Sequence, residues 1–271
     1  DEIYHDQSGD RPRIGSTALK TYMQNPMLFA GQYVIKTMPM PTPIPAFAIG
    51  HAVEALVYGW GDKVITSDMA TATSKAHKEA VEANPDKIVL TTKDYDLVHT
   101  MSEAVRNTEH YKVMMQTGAA QQVERIHMQD FDLQCKFDWI ITDPNPAQVE
   151  WFGTGNAIAI DFKTTDSIRG SYANFERGVR TYGYIEQAAL YQIIHFENTG
   201  IIPDWFWLVV EKDQPFEVQM FRADPDWLTL GRQRVRDAIE SLQARFKFNN
   251  WANTSERIET LYQPAWETNN Q

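Results

Sequence analysis

The chain opens with apolar residues at helical spacing. In "IGSTALKTYMQNPMLFAGQYV", residues 14–34, apolar side chains recur every three or four positions behind Ser16 or Thr17 as a candidate N-cap, which predicts a helix. A proline-rich connector, "MPMPTPIPAF", ends it. The stretch "AIGHAVEALVYG" predicts a second helix from about Phe47 to Tyr58, with Val53, Leu56 and Val57 on its packed face. Residues 62–120 read as a mostly helical lobe with polar segments around 70–83 and 92–108, and no chemistry in it stands out.

From residue 121 the period shortens to two, the spacing of strands. "QQVERIHM" and "FDLQCKFDWIIT" predict neighbouring strands joined by a turn at Gln129 and Asp130. A polar loop, "DPNPAQVEWFGTGN", leads to the strand "AIAIDFKTT", and a second loop, "DSIRGSYANFERGVRTYG", leads to the helix "YIEQAALYQIIHF". The stretches "DWFWLVVEK" and "FEVQMFRA" predict two further strands, and a helix from about Asp226 to Phe248 precedes an aromatic tail. Helices, a mixed sheet with a crossover helix, then more sheet and helix make an α/β or α+β fold. The expectation is one domain over 1–271 with a helical insertion at about 62–120.

Alternation also sorts the charges. In "AIAIDFK" it sets Ile158, Ile160 and Phe162 on one face and Asp161 with Lys163 on the other. In "FDLQCKFDWII" it sets Leu133, Cys135, Phe137 and Trp139 together, and Lys136 with Asp138 opposite. If the two strands are neighbours, Asp138 and Asp161 converge on one hard cation, which prefers oxygen ligands. A carboxylate pair beside an ammonium suits metal-assisted phosphodiester hydrolysis: the ion polarises the phosphoryl group and acidifies a water, and the lysine holds that water or helps deprotonate it. Thr164 and Thr165 are small enough to let a phosphate backbone approach. About one D-x-K triplet arises by chance in a chain of this length, so the reading rests on position. This is the only [DE]-x-K in the sequence and it ends an apolar strand, where burying an idle ion pair is costly.

Composition narrows the picture a little. A net charge of −11 argues against a protein that coats nucleic acid through a broad basic surface, yet it leaves room for a nuclease with its cations gathered in one channel. Cys135 is the one cysteine, so no internal disulfide or iron–sulfur cluster can form within the chain. Neither a basic, apolar leader at "DEIYHDQSGD" nor a membrane-length apolar run is present, and the expectation is a cytoplasmic protein, bacterial or phage-encoded, with no membrane role.

Together these segments resemble the PD-(D/E)xK nuclease superfamily, most closely its RecE branch, which includes the nuclease domain of exonuclease VIII and phage recombination exonucleases. Five segments match in order: "IGSTALKTYMQNPMLF", "AIGHAVEALVYG", "CKFDWI", "IAIDFKTTDS" and "YGYIEQAALYQ". The tail "NNWANTSERIETLYQPAW" resembles the family's Trp-rich ending. The resemblance implies a DNA exonuclease that uses Mg²⁺ or Mn²⁺, two ions per site, to degrade one strand of a linear duplex from 5′ to 3′. The product would be a 3′ overhang for a RecT-like single-strand annealing partner. It also implies a homo-oligomeric ring threaded by DNA. The alternatives are a RecB-like or endonucleolytic member of the superfamily, or a nuclease-fold protein that binds DNA ends without cutting.

By the same resemblance Asp138 and Asp161 are metal ligands, Phe162 is counted at the metal, Lys163 is the catalytic lysine, and Gln187 and Tyr191, four apart on one helix face, contact the scissile region. The chain departs from the family at two positions. Phe137 stands where members usually have proline, and Glu54, four after Gly50, stands where the RecE branch usually has histidine. Glu54 is then the expected helix ligand, favouring Mg²⁺, with His51 beside it facing a phosphate or the outer side of the metal site. Glu124 matches a carboxylate that often precedes the motif aspartate, and competes with a plain surface ion pair. Arg169, Arg177 and Arg180, interleaved with Tyr172, Phe175 and Tyr182, are candidates for phosphate contact and base stacking.

Overall fold

A computed structural model describes residues 9, 11–40, 45–168, 172–252 and 260, with backbone only at 45–47 and 172–174. A short strand β1 (Arg13–Ile14) leads into α1 (Ser16–Gln24), α2 (Pro26–Phe29) and a π-helical turn (Ala30–Val34). The single helix expected over 14–34 is therefore broken. Pro26 cannot continue the helix before it, and Asn25 caps the next one by accepting a hydrogen bond from the Leu28 amide at 3.0 Å. The N-cap of α1 is Gly15 rather than Ser16 or Thr17.

Helix α3 (Pro45–Val57) follows, with Val53, Leu56 and Val57 buried as the spacing predicted. The lobe after it contains α4 (Lys75–Ala83), α5 (Thr92–Arg106) and α6 (Glu109–Met114), but also β2 (Val64–Thr66) and β3 (Ile88–Leu90), which pair in parallel as a small second sheet. Strands of three residues are too short to show a period of two, which is why the sequence read as helical there.

The central sheet contains β4 (Ala119–His127), β5 (Asp132–Ile141), β6 (Ile158–Thr165), β7 (Asp204–Glu211) and β8 (Val218–Arg222), together with β1. β4 and β5 form an antiparallel hairpin, β5 and β6 are antiparallel, β6 and β7 parallel, and β7 and β8 antiparallel. Two elements lie where loops were expected. In "DPNPAQVEWFGTGN", α7 (Pro146–Phe152) begins with a capping box between Asn145 and Gln148, so the apparent turn residues are a helix start. α8 (Tyr172–Tyr182) occupies the second loop and buries Phe175 and Val179, one turn apart. α9 (Tyr184–Thr199) is the crossover helix between β6 and β7, and α10 (Pro225–Phe248) packs on it. A methyl group at Gly231 of α10 would lie 2.5 Å from Ile185 and 3.2 Å from its carbonyl, so glycine sets how closely the two helices approach.

Each face of the sheet carries its own core. α1, α9 and α10 cover one face, around Leu19, Ile185, Leu190 and Trp205, while α3, α5 and Phe152 of α7 cover the other, around Val53, Met101, Ile158 and Phe206. β5 changes sides between them. Leu133, Cys135 and Phe137 point into the first core but Trp139 and Ile141 into the second, so the single face expected for Leu133 through Trp139 is interrupted at Asp138. The cause is local. The Gln121–Asp138 pair is missing from the β4–β5 ladder, and Gln121 has a left-handed φ of 53°.

Candidate active site

The other edge of β5 is shared. β1 pairs with it at Asp132 and Leu133, β6 pairs only from Trp139 to Ile141, and the intervening stretch meets no strand among the described residues. β5 and β6 thus part at Asp138 and Asp161. In place of a ladder bond, Asp138 Oδ2 accepts a hydrogen bond from the Phe162 amide at 2.9 Å. The motif carboxylates stand where the strands separate.

Asp161 is 2% exposed. Its Oδ2 forms an ion pair with Lys163 Nζ, and that ammonium also reaches the Phe162 carbonyl at 3.4 Å. Oδ1 accepts a hydrogen bond from Gln187 Nε2 of α9 at 3.0 Å. Burial raises the Asp161 pKa, Lys163 opposes the rise and Asp138 adds to it, leaving it pushed up to about 7. For Lys163, burial pulls the pKa down, but Asp161 and then Asp138 outweigh it, so the ammonium is held above its ordinary value.

From the opposite face of the sheet, α3 brings Glu54 to the same place. Gly50, one turn earlier, lies against Thr164 of β6, where an added methyl would sit 3.9 Å from Thr164 Oγ1. Glu54 Oε1 accepts a hydrogen bond from Gln121 Nε2. Burial, and then Asp138, push the Glu54 pKa up to about 9. His51 stands exposed at the rim, its pKa lowered by partial burial and by Lys136, with Asp138 opposing. Two faces of one sheet therefore converge on Asp138 and Asp161 because the strands part between them.

Four residues near the cluster went unassigned in the sequence. The Tyr184 ring lies 4.8 Å from Lys163 Nζ, and its place three before Gln187 on one helix face was the available signal. Lys136 shares its strand face with Asp138; burial lowers its pKa while Glu54 and Asp138 oppose. Tyr58 stacks on Trp139 at 5.5 Å, and burial with Asp138 and Glu54 nearby raises its phenol pKa well above the ordinary value. Gln121, the fourth, has no signal in an alternating pattern because its role depends on its left-handed backbone.

The remaining candidates lie elsewhere. Tyr191 is 5% exposed and packs edge-on against Phe137 and Trp205, within the first core. Glu124 holds His195 Nδ1 at 2.7 Å and Asn198 at 3.3 Å, two turns of α9 away from Gln187. Arg180 pairs with Glu176 at 2.6 Å and lies over Trp227. Arg177 and Arg180 are on helix α8 rather than in a loop, Arg169 lies outside the described residues, and nothing is described of the Tyr172 side chain.

Among the described residues no three His, Cys, Asp or Glu side chains are gathered as a finished metal cage. The donor chemistry still fits a hard divalent ion. Glu54, Asp138, Asp161 and the Phe162 carbonyl are all oxygen donors, and the buried Asp161 Oδ2 accepts no directed hydrogen bond, only the nearby charge of Lys163. No described helix is long and apolar enough to cross a membrane.

The whole chain aligns with 97% of a crystal structure described as a "Putative exonuclease" from Eubacterium rectale, at 15% identity and a TM-score of 0.65, which shows a shared fold. A second solved structure, SSO0001, aligns over 72% of this chain and 85% of its own at 15% identity, with a TM-score of 0.30, too low to argue from. No curated protein matches the sequence. A family model described as "PDDEXK-like domain of unknown function (DUF3799)" matches residues 35–264, and the chain therefore belongs to that PDDEXK-like family.

Proposed function

We propose that this protein is a divalent-metal-dependent deoxyribonuclease that degrades one strand of linear duplex DNA, 5′ to 3′, and leaves a 3′ overhang for an annealing partner. One observation carries the nuclease reading. Asp138, Asp161 and Lys163 meet at the parting of β5 and β6, with Gln187 fixing Asp161, in a chain of the PDDEXK-like family. End specificity, polarity and the annealing partner rest on the resemblance of five segments to the RecE branch.

Glu54, Asp138, Asp161 and the Phe162 carbonyl would hold Mg²⁺ or Mn²⁺, two ions by family resemblance. Bound there, the metal would polarise a phosphoryl oxygen and lower the pKa of a water. The chain's own groups do the positioning. Lys163, protonated between Asp161 and the Tyr184 ring, donates to an oxygen of the attacking water or the phosphate and balances the carboxylates. Gln187 holds Asp161 Oδ1 and Lys163 holds Oδ2, so the orientation of the carboxylate is fixed. Gln121 orients Glu54 in the same way.

A closed homo-oligomer is part of the proposal. A chain of net charge −11 needs a geometry that gathers its cations around DNA and turns its acids outward. The deciding experiment is cleavage of a linear duplex labelled at the 5′ or the 3′ end, with and without Mg²⁺, against a closed circular control. Progressive Mg²⁺-dependent loss of the 5′ label first, with the circle spared, is the expected result. Equal cutting of the circle would replace the exonuclease with an endonuclease, and no cutting under any metal would remove the reading.

A further inference from the structure

A groove of about 460 Å³ runs from the end of β6 along α8, lined among others by Thr165, Asp166, Arg177, Tyr182, Tyr184 and Lys212. It begins where the D-x-K triplet ends, since Tyr184 underlies Lys163 and Thr165 is two residues further along the strand. Tyr182 and Tyr184 flank the corner between α8 and α9 with ring centroids 5.7 Å apart and planes at 32°. Tyr182 is 60% exposed, with Lys20 beside it: the Lys20 Nζ lies 5.9 Å from the ring centroid and donates to the Thr181 carbonyl at 3.3 Å.

Gly178 keeps this ring open. It sits inside α8, where glycine weakens a helix, and packing does not require it: an added methyl would lie at ordinary contact, 3.7 Å from Cδ2 and Cε2 of Tyr182. The missing side chain leaves space over the ring, within the groove. Arg177 beside it is exposed and has no ion-pair or hydrogen-bond partner among the described residues. Lys212 is paired with Asp166 at 3.0 Å, which neutralises the carboxylate at the rim. An aromatic pair with an exposed cation next to a phosphate-cutting centre suits an unpaired nucleotide, because a base inside a duplex has no free face to stack.

We propose that this groove takes one unpaired nucleotide of the strand being cut, its base on the Tyr182–Tyr184 pair and its phosphate on Arg177 and Lys212. The inference rests on the nuclease reading above and adds where an unpaired nucleotide next to the cutting centre is held.

The test is fluorescence anisotropy of the full chain with a labelled oligodeoxythymidine of about 12 nucleotides and with a blunt duplex of equal length, in metal-free buffer. Cleavage of the duplex with Mg²⁺ is measured in parallel. Tyr182→Ala should weaken single-strand binding about tenfold, and Tyr182→Phe should keep it within about twofold. Arg177→Ala should lower the slope of log affinity against log salt by about 0.7. Gly178→Ala, which favours the helix, should weaken binding while leaving the melting temperature equal or higher. Single-strand binding unchanged in both Tyr182→Ala and Gly178→Ala would overturn the groove, whatever the cleavage result. Wild type that binds as expected but cuts nothing would sink the nuclease reading and leave the groove as a single-strand site.

Discussion

Gln187 and Asp161 lie on different elements, helix α9 and strand β6, and meet through one hydrogen bond of 3.0 Å from Nε2 to Oδ1. That bond, with the Lys163 ion pair at Oδ2, fixes how the carboxylate is turned. Gln187→Ala should therefore leave the fold intact and raise the Mg²⁺ concentration for half-maximal cleavage by about 10–100-fold, the usual cost of losing a partner that orients a ligand. A metal titration of initial rates checks it, and an unmoved titration midpoint would mean that Gln187 does not act through Asp161.

Asp161→Asn keeps shape and removes charge, so a folded variant should lose hydrolysis. Lys163→Ala removes the counter-charge of a carboxylate whose side chain is 3% exposed, which should destabilise the metal-free protein by about 3 kcal/mol. Turnover should fall at least about 100-fold with metal affinity retained. Calorimetric metal binding beside single-turnover cleavage separates the two losses.

Glu54 gives a pH signature. Its pKa is raised in the folded chain from 4.5 to about 9, so folding takes up a proton there. Its contribution is therefore greatest below the unfolded pKa and is lost as pH rises toward about 9. Asp161, raised from 3.8 to about 7, acts with the same sign. The melting temperature of the metal-free wild type should drop more between about pH 6 and about pH 9 than that of Glu54→Gln, and Mg²⁺ should lessen the drop by displacing the proton. The same variant should nearly abolish Mg²⁺-dependent cleavage, Glu54→His should recover more with Mn²⁺ than with Mg²⁺, and His51→Ala should be milder than either. If His51→Ala loses Mg²⁺ activity and Glu54→Gln keeps it, the helix ligand is misassigned.

Tyr191 separates a packing role from a substrate contact. Buried against Phe137 and Trp205, it should cost about 3 kcal/mol or more when changed to alanine. In the cold, where that variant stays folded, the metal titration should match the wild type. A melting temperature within a degree or two of wild type together with lost cleavage would return Tyr191 to the substrate.

The closed oligomer is checked by sedimentation at micromolar concentration, where a single species larger than the chain is expected. A monomer would count against the ring.

What could be read in the sequence follows from which elements carry a clean period. The D-x-K strand, the hairpin before it and α9 are long enough for periods of two and 3.6 to show, so Asp161 and Lys163 share a strand face from their spacing, while Gln187 is singled out only by the resemblance to the nuclease family. α7 was hidden because Asn145 and Pro146 signal a turn and a helix start equally well. α8 was hidden because Gly178 interrupts a helix of only 11 residues. The change of sides in β5 is set by Gln121, whose left-handed φ lies across the hairpin and leaves no mark in the alternation of either strand. Tyr191 shows the limit of a motif. Four residues after Gln187 is the same helix face, and one turn further along that face lies against Phe137 and Trp205, which spacing alone does not reveal.

Because β5 and β6 part where the two faces of the sheet meet, the cluster draws on both sides of the exposed Gly118 in sequence. Glu54 and Tyr58 precede it, and Asp138, Asp161, Lys163 and Gln187 follow it. The segment after Gly118 carries the motif residues but lacks Glu54. Gln148, fully buried, offers a means of rejoining the two segments, since its amide donates to the carbonyls of Val113, Met114 and Thr117. A chain cut at Gly118 would therefore have to bring the two segments back together before Glu54 could meet Asp138 and Asp161.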